Sequence, residues 1–377
     1  MKKSLQIGYL ITILLIFFVP GLLFVSGKGK SASDTEENRT LSTMPKLEAS
    51  TYRVFPTQFE DYFNDHLPLK DQLVFANSYL DYRIFHSSSS DQVVVGKNGW
   101  LFYTGTQQGD EAQMKDYLGE NLYTEEELQT LASKLNQAAA DFQKKGAHLT
   151  FVFNPNKSRI YADQMPASYG NPTENYRLKQ VVQYLKANTK LDIVDTTAVL
   201  ADYHKKNPQN QIYFKYDTHW NSFGSYIATR LLAQGLKRSL PSPDAVSIQD
   251  GKHPVYDLAR MLHLQDILME DPAPIVSGYT DRTYESQMSG EGAEIMIHGS
   301  CASPEADERK LLLIGDSYGT FMFRFLATEF AQTTYCHYSQ YHRDVLEAEK
   351  PQEVVFELVE RNLSLLNSFS IDRAFPQ

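Results

Sequence analysis

A parallel β-sheet with helices on both faces, an α/β fold, is the architecture this sequence predicts, on three observations. From Thr124 onward, short apolar runs alternate with amphipathic stretches of helical length, the rhythm of strand-crossover-strand units. The runs His148-Leu-Thr-Phe-Val-Phe153, Leu311-Leu-Leu-Ile314 and Val354-Val-Phe-Glu-Leu-Val-Glu-Arg361 are nearly unbroken in aliphatic and aromatic residues, as in strands covered on both sides. One of them stops abruptly in Gly315-Asp-Ser-Tyr-Gly319. That is the tight strand-to-helix turn on which open α/β sheets carry their sites.

The chain starts Met1-Lys-Lys-Ser and runs into an apolar stretch from Ile7 to Val25, about the length that crosses a bilayer. Lys2 and Lys3 keep the short N-terminus cytoplasmic. No clean small-x-small site follows the apolar core, which favours an uncleaved signal anchor over a removed signal peptide. Either way the remainder is exported, so the catalytic region is expected on the extracellular side. We read residues 1–26 as the anchor, 27–45 as a polar tether and 46–377 as a catalytic domain.

Within that domain, Phe59, Tyr62 and Phe63 fit one face of a helix, and Leu73 to Phe85 continues as a second. Val93-Val-Val and Trp100-Leu-Phe-Tyr103 read as two strands joined at Lys97-Asn-Gly. Thr124-Glu-Glu-Glu127 is a capping box for a helix that Gly146 stops. Helices over 174–187, 196–205 and 221–236 alternate with strands over 148–153, 192–194 and 212–216. After Leu240 the rhythm breaks. Residues 241–310 read as an insertion, with a short helix over 255–264 and an irregular stretch over 265–310, either a subdomain bordering the site or a disordered segment. The sheet resumes at Leu311 and closes with strands over 333–336 and 354–361; a helix over 320–330 follows the turn.

Composition narrows the function. Lys and Arg number 36 against 46 Asp and Glu, a formal net charge of −10, which gives no basic footprint for nucleic acid. The two cysteines, Cys301 and Cys336, are either a disulfide, permitted by export, or two separate thiols. No Cys and His cluster has zinc-site spacing, so we expect neither a metal nor a cofactor.

Ser317 is either a nucleophile or part of a capped turn. A nucleophilic serine needs an oriented base. Tyr216-Asp-Thr-His-Trp220 offers one, since residues two apart in extended backbone point the same way and Asp217 could orient His219. A backbone-bonded pair is the alternative. Gly315-Asp-Ser-Tyr-Gly319 also matches the G-x-S-x-G pattern of α/β-hydrolases. Those enzymes need an acid and then a histidine after the serine; here Asp344 and Asp372 follow His337 and His342, which removes that reading.

The Gly-Asp-Ser turn resembles the SGNH hydrolase superfamily, and the order Asp-x-His before Ser resembles its AlgX/AlgJ-like O-acetyltransferase branch and the related DHHW proteins. Further fragments agree: Glu37-Asn-Arg39, Phe63-Asn-Asp-His-Leu-Pro-Leu-Lys70, Gly96-Lys-Asn-Gly-Trp-Leu-Phe102, Pro155-Asn-Lys157, Asp217-Thr-His-Trp220, Asp257-Leu-Ala-Arg-Met-Leu262 and Glu360-Arg361. The resemblance implies an SGNH hydrolase-like, flavodoxin-like sheet with a circularly permuted motif order. It implies Ser317, His219 and Asp217 as a triad moving an acetyl group to hydroxyls of an exopolysaccharide or cell-wall polysaccharide, supplied by a multipass membrane O-acyltransferase. Tyr318, Lys157, Asn154 and Arg361 are candidates for lining the pocket or serving the oxyanion. An acetyl esterase with the same triad, or a non-catalytic polysaccharide-binding subunit of an export complex, are the other functions this pattern admits.

Overall fold

A computed structural model describes residues 2–27, 41–48, 50–105, 113–252, 256–269 and 273–374. Most of the expected tether, with Glu37-Asn-Arg39, lies outside the described residues. The chain divides into two compact units, Met1–Phe85 and His86–Gln377. Residues 46–85 fall within the first of these units.

The first unit holds α1 (Lys2–Ser26), α2 (Phe55–His66) and α3 (Lys70–Leu80). Helix α1 is apolar along its length and almost entirely uncovered, and it is the one described helix long and apolar enough to cross a membrane.

The second unit opens with the antiparallel pair β1 (Val93–Val95) and β2 (Leu101–Tyr103), then α4 (Gln113–Leu118). Helix α5 (Glu125–Lys144) starts on the predicted capping box: Thr124 accepts from the Glu127 N–H while Glu127 reaches back to Thr124. The alternation then runs β3 (His148–Asn154), α6 (Lys157–Ile160), α7 (Arg177–Asn188), β4 (Asp192–Asp195), α8 (Thr197–Lys206) and α9 (Ser222–Gly235). After it come β5 (Ser247–Gly251), α10 (Asp257–Met261), β6 (Ala273–Ser277), β7 (Glu285–Ser289) and β8 (Met296–Ser300). The chain closes with β9 (Asp307–Gly315), α11 (Ser317–Leu326), β10 (Phe330–His337), α12 (Arg343–Glu349) and β11 (Glu353–Val359).

Seven strands form the main sheet in the order β4-β3-β11-β9-β10-β8-β7. The first five are parallel, and β8 and β7 add on antiparallel, so the sheet is mixed rather than wholly parallel. Side-chain alternation splits the core in two. Val152, Leu311, Leu313, Tyr335 and Val355 face α9 and α11, while Phe151, Phe153, Leu312, Ile314 and Phe356 face α5, α7 and α12.

Two expectations change, and one open alternative closes. The segment 265–310 is not irregular throughout, because it supplies β6, β7 and β8; β7 is exposed at every position and therefore lacks the apolar signature of a strand. Residues 212–216 form no strand of the sheet: Tyr213 bridges Trp220 across the turn at Asp217, so the segment folds back on itself. Cys301 and Cys336 are separate buried thiols.

Candidate active site

The five parallel strands deliver their carboxyl ends to one edge, and the central β9 ends there at Gly315. Asp316 caps α11, accepting from the Tyr318 N–H at 2.9 Å through one carboxylate oxygen and from the Val359 N–H and Asn362 Nδ2 at 2.8 Å through the other. Those bonds fix the turn from both sides, and Ser317 follows as the first residue of the helix. The Tyr335 hydroxyl adds a bond to the Asp316 carbonyl at 2.8 Å.

The two glycines of the turn are needed for space, since neither lies at positive φ. A Cβ on Gly315 would stand 2.5 Å from a Glu357 carboxyl oxygen, and one on Gly319 2.9 Å from the Tyr335 ring. Glu357 is wholly buried beneath the turn. Burial, reinforced by the Asp316 charge, pushes its carboxyl well above the ordinary range.

The turn after Phe214 brings the partners. His219 Nε2 lies 2.6 Å from Ser317 Oγ, and His219 Nδ1 lies 2.6 Å from Asp217 Oδ1. The same Asp217 oxygen accepts from the His219 backbone N–H at 2.9 Å, which locks acid and histidine into one local turn. The Tyr318 hydroxyl, at 2.6 Å from the Thr218 carbonyl, ties that turn to α11. Burial opposes a charge on His219, but the Asp217 charge and hydrogen bond, with the Asp257 charge behind them, hold the imidazole above its usual value.

Asp257 is the residue that sequence reasoning missed as a member of the site. Its N–H donates to Asp217 Oδ2 at 2.9 Å, its carboxylate accepts from the Thr218 N–H at 2.7 Å and from the Thr218 hydroxyl, and it stands 3.6 Å from His219 Nδ1. Only the fragment Asp257-Leu-Ala-Arg pointed to it, and nothing in local spacing joins it to a histidine 38 positions earlier. Donor atoms of Asp217, His219 and Asp257 lie within 4.8 Å of one another, close enough to hold a cation by spacing. They are already committed to one another and to backbone N–H groups, so the hydrogen-bonded relay accounts for them without an ion.

The other four predicted residues separate. Asn154 does not line the site: it is fully buried, donating to Glu357 at 2.6 Å and accepting from Thr196 at 2.8 Å. Lys157 is likewise buried, its ammonium spent on the carbonyls of Phe214, Lys215 and Asp217 at 2.7, 2.9 and 2.8 Å. The Tyr318 N–H is taken by the Asp316 cap and its ring is buried, so it serves the oxyanion through neither. Arg361 is half-buried, its guanidinium 5.3 Å from the centre of the Tyr318 ring.

A family model, the SGNH hydrolase-like domain of the acetyltransferase AlgX, matches residues 93–332. The chain belongs to this AlgX family. Two curated relatives carry the name "Probable alginate O-acetylase AlgJ". The one from Pseudomonas aeruginosa is 23% identical over 265 residues, 69% of this chain and 63% of that protein. The one from Pseudomonas putida is 22% identical over 396 residues, 98% of this chain and 92% of that protein. The chain thus spans just under two thirds of the first relative's length. Among solved structures, a DHHW family protein from Eubacterium siraeum shares the fold with a TM-score of 0.50 at 16% identity, over 74% of this chain and 99% of that one. The AlgX-family fold is therefore the sheet described above, with Ser317 at its central strand end.

Proposed function

We propose that this AlgX-family chain is a membrane-anchored O-acetyltransferase working on the exported side, moving an acetyl group through Ser317 onto hydroxyls of a polysaccharide. The observation that carries the proposal is the continuous relay from Ser317 Oγ through the His219 ring to Asp217, with 2.6 Å at both links. Family membership and the AlgJ names of its relatives support acetyl transfer to a sugar polymer as the chemistry the relay performs.

In the first half-reaction, Ser317 Oγ adds to the acetyl carbonyl of the donor while His219 Nε2 takes the hydroxyl proton. Negative charge develops on the carbonyl oxygen. At the end of α11 the Tyr318 and Gly319 N–H groups are bound to Asp316, which leaves the Ser317 N–H as the helix-end donor aimed at that charge. The intermediate collapses as His219 returns the proton to the leaving group, and the acetyl ester remains on Ser317. In the second half, His219 removes the proton of a sugar hydroxyl as it attacks that ester. Collapse frees the acetylated sugar and reprotonates Ser317 Oγ. Arg361, half-buried beside the Tyr318 ring, is the residue we assign to meet the acceptor or the donor's leaving group.

Anchoring through α1 would tether the chain to the membrane, where a multipass O-acyltransferase would supply acetyl from the cytoplasmic side. Purified chain should release acetate from an aryl acetate, and Ser317→Ala should lose at least about a thousandfold of that rate. Retention of the rate by the variant would remove Ser317 as nucleophile. With oligosaccharides present, acetylated sugar is the expected product; acetate alone would make the chain an esterase.

A further inference from the structure

On a helix of a soluble unit the apolar stripe is covered, and on α2 it is covered only in part. Phe55, Phe59, Tyr62 and Phe63 fall on one stripe by helical spacing. Their rings form a row, 5.9 Å between Phe55 and Phe59 and 6.5 Å between Phe59 and Phe63, yet all four remain half-exposed. The buried residue of the helix is instead Asp65, whose carboxylate accepts from the Ser42 N–H at 2.7 Å. Glu60, Asp61 and Asn64 sit on the face opposite the rings and are exposed.

The stripe ends on α1. The Phe24 ring, in the last turn of that helix, lies 4.9 Å from Phe63 and 5.9 Å from Tyr62. A cavity of about 490 Å³ opens beside this contact, lined by Leu23, Phe24, Met44, Phe59, Tyr62 and Pro68 among others. Leu47, Tyr52 and Val54 extend the apolar surface and are exposed.

We propose that bilayer lipid covers this surface: α2 lies in the headgroup boundary with its aromatic row toward the acyl chains, and an acyl chain fills the cavity beside Phe24. The inference rests on α1 spanning the membrane. Given that, the last turn of α1 marks the bilayer edge, and whatever packs on Phe24 shares its depth. Aromatic side chains favour that depth, and an amphipathic helix buries its apolar face there by about 5–10 Å. Exposed Leu22 and Val25 of α1 continue the same apolar surface, which makes lipid the covering and distinguishes it from a soluble partner.

The test uses the full chain in phosphatidylcholine vesicles, some carrying lipid brominated just below the carbonyls, which quenches tryptophan on contact. Phe59→Trp and Tyr62→Trp should each lose most of the emission they add over the parent chain, whose Trp100 and Trp220 are buried. Asn64→Trp, on the opposite face, should keep its emission. Blue-shifted, unquenched emission from both stripe variants in vesicle-bound chain would mean that protein covers the row, and overturns the proposal. A chain that fails to float with the vesicles overturns it at a different point, because anchoring through α1 has then failed.

Discussion

Three carbonyl oxygens take the three donors of the Lys157 ammonium, and all three belong to the turn that carries Asp217. The charge is wedged against Trp100 and Phe102, each ring centre 5.2 Å away. Lys157→Met keeps the stem and takes one buried donor away from each of those carbonyls, of which that of Lys215 also accepts from the Leu101 N–H. It should cost about 2–4 kcal/mol in denaturant unfolding and misplace Asp217. Stability unchanged from the parent would show that the turn holds itself. His219 makes a second prediction. The base must be neutral to accept the Ser317 proton, and its folded value lies above the ordinary 6.5. Activity on an aryl acetate should therefore be full at alkaline pH and fall as pH drops through a limb above 6.5. Asp217 and Asp257 raise that value while Arg361 and burial oppose it. Asp257→Asn should accordingly move the acid limb to lower pH and reduce the rate, whereas a purely structural Asp257 would lower the rate and leave the limb in place.

At the scale of elements, the β9–α11 junction concentrates the steric demands. Gly315→Ala or Gly319→Ala should each destabilise by about 1–3 kcal/mol, because the new methyl meets a filled space. Activity should fall further than stability, since Ser317 shifts with the turn. Trimming Glu357 to Ala beside Gly315→Ala should show strong coupling in a double-mutant cycle. The junction was legible in sequence because an aliphatic run ending in Gly-Asp-Ser has few other uses. The glycines' role was not, because it lies in the close approach of Glu357 and Tyr335 from strands later in the chain. The stretch 212–216 was misread because its run of apolar and aromatic residues suits a strand, whereas its pairing partner is the chain's own return at Trp220. Strand β7 escaped notice because it is exposed at every position, and β8 because Gly299 is its one buried residue.

For the whole molecule, the central strands and flanking helices of an AlgX-family sheet bring together residues separated by nearly a hundred positions, Ser317 and His219 among them. That long-range meeting was visible only through the order of motifs, and Asp257 was beyond even that. The relay lies at the strand ends, half-buried at Ser317 and His219 and buried at Asp217. The central claim is that Ser317 carries the acetyl group between donor and sugar. The most direct measurement is peptide mapping by mass spectrometry after brief incubation of the full chain with an aryl acetate, followed by a chase with oligosaccharide. The account predicts an acetyl ester on the Ser317 peptide that disappears in the chase as acetylated sugar appears. An unmodified Ser317 peptide, with acetate released at the parent rate, would contradict it.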